Sequence, residues 1–337
     1  MADGRALLRD LVSTPSVSGG ESDAAAVLRD AFAAAGREVW IDEVGNVRAP
    51  ADDGVLLTSH VDTVPGEIPV RVEDGELWGR GSVDATGALA AMAVAALETG
   101  VSFAGVVEEE TTSRGARHLV ADRDAPEAVI NGEPSGWDGI VLGYRGFRSA
   151  TYETATPSAH TSRESANAVE RAIDWWDRVT DALPTGGDSA FESVTAKPVA
   201  IDGGVTEDGL ATAATVEAQF RLPPGVDAAD VGRAVEDATV HGDLAWGDPI
   251  PPVVRSPRTP VARALRAGIR AEDGEPTHLR KTGTSDMNLY ADAWDVPMAT
   301  YGPGDSALDH APDERLDLAA FDRSVAVLTA AAAALSG

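Results

Sequence analysis

Several acids and histidines sit where chemistry would need them, directly after short apolar runs. Ser59-His60-Val61-Asp62-Thr63 closes the run Val55 to His60, and a His-x-Asp pair at i and i+2 on an extended chain turns both side chains to one face. One of them could ligate a metal while the other orients it, because a ligating imidazole commonly passes its second N–H to a carboxylate. A structural histidine would read the same. Asp84, in Gly79-Arg-Gly-Ser-Val-Asp-Ala-Thr-Gly, stands before an alanine-rich helix, as a ligand or as an ordinary N-cap. Glu108-Glu109-Glu110 follows the run Phe103 to Val107. Adjacent carboxylates there repel unless cations or protons divide them, and a solvated acidic turn is the simpler alternative. Glu133 follows another apolar run, and Asp309-His310 follows the loop Gly302-Pro-Gly-Asp305. Taken together, these residues suit a hydrolytic centre in which two metal ions hold a water between them.

The chain that must position them has 337 residues, 43% hydrophobic and 24% charged, a globular composition with length for about two domains. It contains no cysteine, which excludes disulfides, a thiol nucleophile and thiolate ligands and leaves His, Asp and Glu to hold a metal. With 27 Lys+Arg against 55 Asp+Glu, the formal charge is −28, and Lys197 and Lys281 are the only lysines. Such a field disfavours nucleic acid as a partner. Acid excess with arginine retained and lysine nearly absent resembles the composition of halophilic proteins, in which molar salt screens self-repulsion. No basic segment followed by an apolar one opens the sequence, so a signal peptide is not expected. The alanine-rich runs Ala85 to Leu97 and Val325 to Leu335 read as too short or too interrupted to span a bilayer. The expected location is cytoplasmic.

Periodicity predicts helices over Gly4–Leu11, Ser22–Ala35, Thr86–Glu98, Val261–Ala271 and Leu318–Leu335, with strands at Val55–His60, Ser102–Glu108, Ala128–Asn131 and Pro297–Tyr301. This alternation is that of an α/β sheet covered on both faces. Between Gly146 and Val254 the pattern becomes strand Arg148–Ala155, helix Ser165–Leu183, strands Val194–Ile201 and Ala213–Leu222, then helix Ala228–Ala238. That order predicts an inserted ferredoxin-like α+β unit, with Pro249–Pro260 as the return linker. The expected domains are 1–146 with 255–337, and 147–254. No Gly-x-Ser-x-Gly or Gly-Lys-Ser/Thr loop is present, which argues against a serine hydrolase or a phosphate-binding loop.

The ordered motifs Ser-His60-Val-Asp62-Thr, Gly-Arg-Gly-Ser-Val-Asp84, Glu-Glu109-Glu110-Thr-Thr-Ser-Arg-Gly115, Gly-Glu133-Pro-Ser, Gly283-Thr-Ser285-Asp286 and Gly-Pro-Gly304-Asp-Ser-Ala-Leu-Asp-His310-Ala-Pro-Asp-Glu314 resemble the co-catalytic zinc aminoacylases and deacylases. That family includes acetylornithine deacetylase, succinyl-diaminopimelate desuccinylase and glutamate carboxypeptidase. The resemblance implies a mixed-sheet metallopeptidase catalytic domain with an inserted lid and dimerisation domain, hence a homodimer. It implies two divalent ions, zinc first and cobalt or manganese as alternatives, with Asp84 bridging them, His60 and Glu133 completing one position, and Glu110 and His310 the other. Glu109 would be the general base acting on a metal-bridging water, and Asp62 the partner of His60. Either pair of neighbours in the triplet could supply base and ligand; the spacing from Glu110 to Gly115 matches the family and selects Glu109 and Glu110.

His160, in Ala-Thr-Pro-Ser-Ala-His-Thr-Ser, resembles the lid histidine that reaches the scissile carbonyl. Arg221, Lys281 and Ser285 are candidate substrate contacts, although Glu207-Asp-Gly-Leu-Ala-Thr212 departs from the family's asparagine-containing step. Within the family, the stretches Glu133 to Gly146 and Lys281 to Asn288 look most like members that release lysine or ornithine from the γ-carboxyl of an amino-group carrier protein's C-terminal glutamate, in lysine and arginine biosynthesis. The carrier conjugate would then be the substrate and partner, with a small-molecule deacylase or dipeptidase as the alternative.

Overall fold

A computed structural model describes residues 3–184 and 186–336. The chain divides into two compact units. The first comprises Met1–Gly143, Arg255–Arg280 and Ser285–Gly337, and the second comprises Tyr144–Val254 with Lys281–Thr284.

The sheet of the first unit runs in the order Trp40–Ile41, Val47–Ala49, Ser102–Val106, Leu56–His60, Val129–Gly132, Met298–Gly302 and Gly136–Tyr144, with Thr277–Lys281 also paired to the last. Its central four strands are parallel, and antiparallel strands flank them. The fold is thus the mixed α/β sheet expected of a metallopeptidase catalytic domain. Leu56–His60 is buried along its whole length, as a strand covered on both faces must be. Helix Thr86–Thr99 is buried from Thr86 to Ala96; its alanines keep the cylinder thin between sheet and neighbouring helices, and Gly100 closes it in the left-handed conformation (φ 78°).

Helix Leu318–Leu335 corrects one expectation. At 18 residues and mean hydropathy 1.5 it is long and apolar enough to cross a membrane by composition. It is instead a core helix, with Phe321, Val327, Leu328, Ala331 and Ala332 buried and packed on Thr86–Thr99 and Pro260–Ala271.

The second unit is a four-stranded antiparallel sheet ordered Thr195–Val205, Ala211–Leu222, Gly146–Pro157, Asp243–Trp246, with helices Ala168–Ala182 and Ala228–Ala238. By position in the chain, the strands lie second, third, first, fourth, which is ferredoxin-like order. The first helix begins three residues later than periodicity predicts, because Asn167 caps it in a capping box with Glu170. Gly146–Pro157 is paired on both sides, and Trp175 is fully buried, stacked on Tyr152 at 4.5 Å between ring centroids. The edge strands of this sheet are Thr195–Val205 and Asp243–Trp246, and on the first Val199, Ile201 and Val205 are exposed.

Candidate metal centre

The site is built where parallel strands end in register. His60 closes its strand opposite Val106, and Ser59 lies opposite Gly132, so the residues following each strand converge at one level: His60, Glu108–Glu110 and Glu133. Open α/β sheets place their sites at these strand ends. The fourth parallel strand, Met298–Gly302, leads through Gly304 to His310.

Within this cluster the two oxygens of Asp84 face different histidines. Oδ1 lies 3.4 Å from His60 Nε2, and Oδ2 lies 3.1 Å from His310 Nε2. Glu110 Oε1 is 3.0 Å from His310 Nε2, and Glu133 Oε2 is 3.9 Å from His60 Nε2. Single ligand atoms of His60, Asp84 and Glu110 all lie within 4.8 Å of one another, which makes them a candidate metal site. Asp84 is not the helix cap: the helix begins at Thr86 after Ala85, with no side-chain cap.

His60 is 1% exposed, and its Nδ1 lies 2.9 Å from the Asp62 carbonyl oxygen and 3.4 Å from Asp62 Oδ1. A carbonyl can only accept, so Nδ1 carries the proton and Nε2 turns toward the carboxylates. That Nε2 is buried and makes no hydrogen bond. A buried nitrogen without a partner, aimed at acids too distant for good hydrogen bonds, fits a cation between them.

The electrostatics agree. Burial alone would lower the pKa of His60, yet the surrounding carboxylates, Asp62 and Asp84 first and then Glu133, hold it well above the ordinary value. Hydrogen bonds to Asp84 and then Glu110 raise His310 to about 10. Asp84, despite burial, is held far below the usual carboxylate range by His310 and His60. The cluster favours positive charge wherever these histidines face it.

The glutamate triplet divides its roles by backbone geometry. Glu108 takes a left-handed conformation (φ 58°) and turns away to pair with Arg114 at 2.7 Å. Glu109 is half-buried, and desolvation followed by the charge of Glu133 pushes its pKa well above normal, with His60 pulling the other way. Asp62 does more than face His60: its Oδ1 accepts from the Glu109 N–H at 2.9 Å and its Oδ2 from the Glu110 N–H at 3.0 Å. The same residue therefore fixes a histidine and the main chain of two glutamates. Gly115 follows because its backbone closes the turn, with its N–H on the Val107 carbonyl at 3.0 Å. A Cβ there would come within 2.3 Å of the Val107 nitrogen.

Sequence reasoning missed the residues that hold this arrangement from behind. Ser18 donates to Asp62 Oδ2 at 2.7 Å, Glu21 accepts from the Glu108 N–H at 3.2 Å, and buried Asn46 accepts from the Val107 N–H while donating to the Gly115 carbonyl. Ser285 is 2% exposed, and its hydroxyl caps helix Asp286–Ala293 in a box with Asn288. Asp286 beside it is pushed up to about 7 by burial. In the second unit, His160 is exposed with Nδ1 2.8 Å from Ser162 Oγ. Arg221 lies over the Phe147 ring and donates to Thr284 Oγ1 at 3.1 Å, while Lys281 is half-buried in the segment leading to that threonine.

A carboxylate–histidine cluster without thiolates, at the carboxyl ends of parallel strands, defines a metallohydrolase. The chain belongs to Peptidase family M20/M25/M40, whose model matches residues 56–334. It is 42% identical to a Deinococcus radiodurans protein named "[LysW]-lysine hydrolase", over 99% of this chain and 97% of the relative. It is 37% identical to a Thermococcus kodakarensis protein named "Putative [LysW]-lysine/[LysW]-ornithine hydrolase", over 95% and 89%. Among solved structures, an M20 family metallo-carboxypeptidase from Sulfolobus solfataricus shares the fold at a TM-score of 0.83 and 17% identity, covering 99% of both chains. A dinuclear metal binding M20 peptidase from Bacillus subtilis does so at 0.71 and 14%, covering 98% and 96%.

Proposed function

We propose that this enzyme hydrolyses the amide joining lysine or ornithine to the γ-carboxyl of the C-terminal glutamate of an amino-group carrier protein. The observation that carries the reading is near-full-length similarity, at 42% and 37% identity, to relatives named for that activity. On this reading the enzyme serves lysine and arginine biosynthesis in the cytoplasm, with the carrier conjugate as its partner and neither nucleic acid nor membrane required.

His60, Asp84 and Glu133 would hold one divalent ion, and Asp84, Glu110 and His310 a second, with zinc preferred by this N/O donor set and cobalt or manganese accepted. When bound, such a pair supplies Lewis acidity and makes water a nucleophile near neutral pH. Glu109 takes the proton released as water oxygen adds to the amide carbon, then returns it to the departing α-amino group. A carboxylate disfavoured by its own surroundings, as Glu109 is, has the proton affinity this role requires at neutral pH. Asp62 keeps His60 and the Glu109 main chain in register.

We assign His160 to the carbonyl oxygen as it gains charge, and Arg221 and Lys281 to the substrate carboxylate, with Ser285 supporting them as the cap of the helix that begins at Asp286. The exposed edge Thr195–Val205 supports a homodimer, since a strand paired on one side only and carrying exposed Val199, Ile201 and Val205 is a ready pairing surface. The acidic surface supports function in concentrated salt.

The test is hydrolysis in high KCl of carrier-conjugated lysine and ornithine against acetylornithine. Faster turnover of a conjugate supports the proposal. Preference for acetylornithine would make the enzyme a small-molecule deacylase. Removing divalent ions with a chelator should abolish either activity, and adding zinc or cobalt should restore it.

A further inference from the structure

Four residues beyond His310 lies a carboxylate that the chemistry above does not use. Glu314 is 1% exposed, and its two oxygens accept four hydrogen bonds from one short loop. Oε1 accepts from the Val83 N–H at 2.8 Å and the Asp84 N–H at 3.1 Å. Oε2 accepts from the Gly81 N–H at 3.1 Å and Arg80 Nη1 at 2.8 Å. Clustered backbone N–H groups of this kind form an anion-binding concavity, and here the anion is the chain's own. The loop's path is fixed at Gly81 (φ 79°), where a Cβ would come within 2.5 Å of Thr63 Cγ2.

We propose that Glu314 is a positioning residue for the metal centre: its carboxylate fixes the main chain of residues 80–84 and so aims the Asp84 side chain between His60 and His310. Two of its four donors are the amides of Asp84 and of the residue before it. Asp84 is thus gripped at its backbone by Glu314 while its side-chain oxygens face the two histidines. Arg80 extends the grip, because Nη1 also donates to the Ala311 carbonyl at 3.2 Å, next to His310. Directly after Glu314, strand Arg315–Asp317 pairs with Glu76–Trp78, which anchors the carboxylate close to the loop it holds. One knot therefore sets the spacing between a shared carboxylate and the histidine that meets it from a loop.

This position calls for a side chain that accepts at both of its ends. Four donors converge on it, and an amide would turn an NH₂ group toward N–H groups. Glu314→Gln is therefore nearly isosteric and still disruptive.

The inference rests on the metal-centre reading, and the experiment separates the two. Full-length wild type, Glu314→Gln, Arg80→Gln and Asp84→Asn are stripped with a chelator and titrated with Co²⁺ and Zn²⁺ against a chromophoric competitor, and the visible spectrum of the cobalt forms is recorded. Glu314→Gln should bind about 10- to 100-fold more weakly, the usual loss when a partner behind the ligands is removed, and should show altered cobalt bands while its circular dichroism remains native. Arg80→Gln leaves the carboxylate on its three amides and should weaken binding by about tenfold, at the low end of that range. A folded Glu314→Gln with wild-type affinity and cobalt spectrum overturns the proposal. If that variant does not fold, wild-type affinity and spectrum in Arg80→Gln overturn it instead. If Asp84→Asn also binds as wild type does, the metal-centre reading fails and takes this inference with it.

Discussion

The two histidines of the cluster are held in opposite ways. His60 ends a strand hydrogen-bonded on both sides, is almost wholly buried, and has Nδ1 fixed by Asp62. His310 follows a short 3₁₀ turn at Ser306–Leu308, takes a left-handed conformation at φ 60°, and leaves 49% of its side chain exposed. A non-glycine residue in that region is disfavoured unless its surroundings over-determine it. One side of the site is therefore ordered by the sheet itself, and the other by contacts that a loop must collect. The difference teaches that the strand-end ligand should survive perturbation elsewhere, whereas the loop ligand should depend on its neighbours.

The largest effect should come from the residue that serves both sides. Glu109→Gln should lower kcat by about 10²- to 10⁴-fold, the usual contribution of a positioned base, while metal analysis of the purified protein still finds the wild-type content. If Glu109→Gln loses metal and Glu110→Gln keeps it, the division of roles within the triplet is reversed.

The histidines themselves put the comparison to a direct test. His60→Ala leaves buried Glu133 and partly buried Asp84 without the imidazole that faces them, and removing one partner of a buried ionic group typically destabilises by about 3–5 kcal/mol. His310→Ala acts at a half-exposed position and should destabilise the chelator-treated protein by about 1 kcal/mol or less. Urea unfolding of the two variants side by side reads the difference, and equal midpoints would erase the distinction drawn here.

The same contrast explains what was legible in the sequence. His60, Glu109, Glu110 and Glu133 could be found because each follows an apolar run that must be a buried strand, and the strands themselves appeared where periodicity placed them. Strand Gly136–Tyr144 escaped because it opens on Gly-Trp-Asp-Gly and is only half-buried there. Helix Asp286–Ala293 is eight residues long and has no apolar stripe. The supporting residues Ser18, Glu21 and Asn46 left no spacing signal, because their partners include backbone amides or an acid far away in the chain, and Glu314 closed a motif without showing which amides it holds. Every residue has such an amide, so only the fold reveals which ones converge. Lys281–Thr284 is comparable: nothing in its composition sets it apart from the strand before it, yet it belongs with the second unit.

The smallest expected effect tests whether the strand-end side is as self-sufficient as its geometry implies. Ser18 gives Asp62 Oδ2 one hydrogen bond, and that oxygen keeps a second donor in the Glu110 N–H. The Ser18 segment is itself fixed independently, by a bridge between Val17 and Thr63 and a hydrogen bond from the Thr63 N–H to the Ser16 carbonyl at 2.9 Å. Asp62 is held below the usual carboxylate range against its burial, chiefly by His60, with Ser18 and the Glu110 amide adding to it. Ser18→Ala should therefore leave His60 oriented and reduce kcat by no more than about tenfold, the low end for a residue standing behind a ligand, with metal content unchanged. A loss approaching that of Glu109→Gln would show that the buried side depends on its loops as much as the exposed one does.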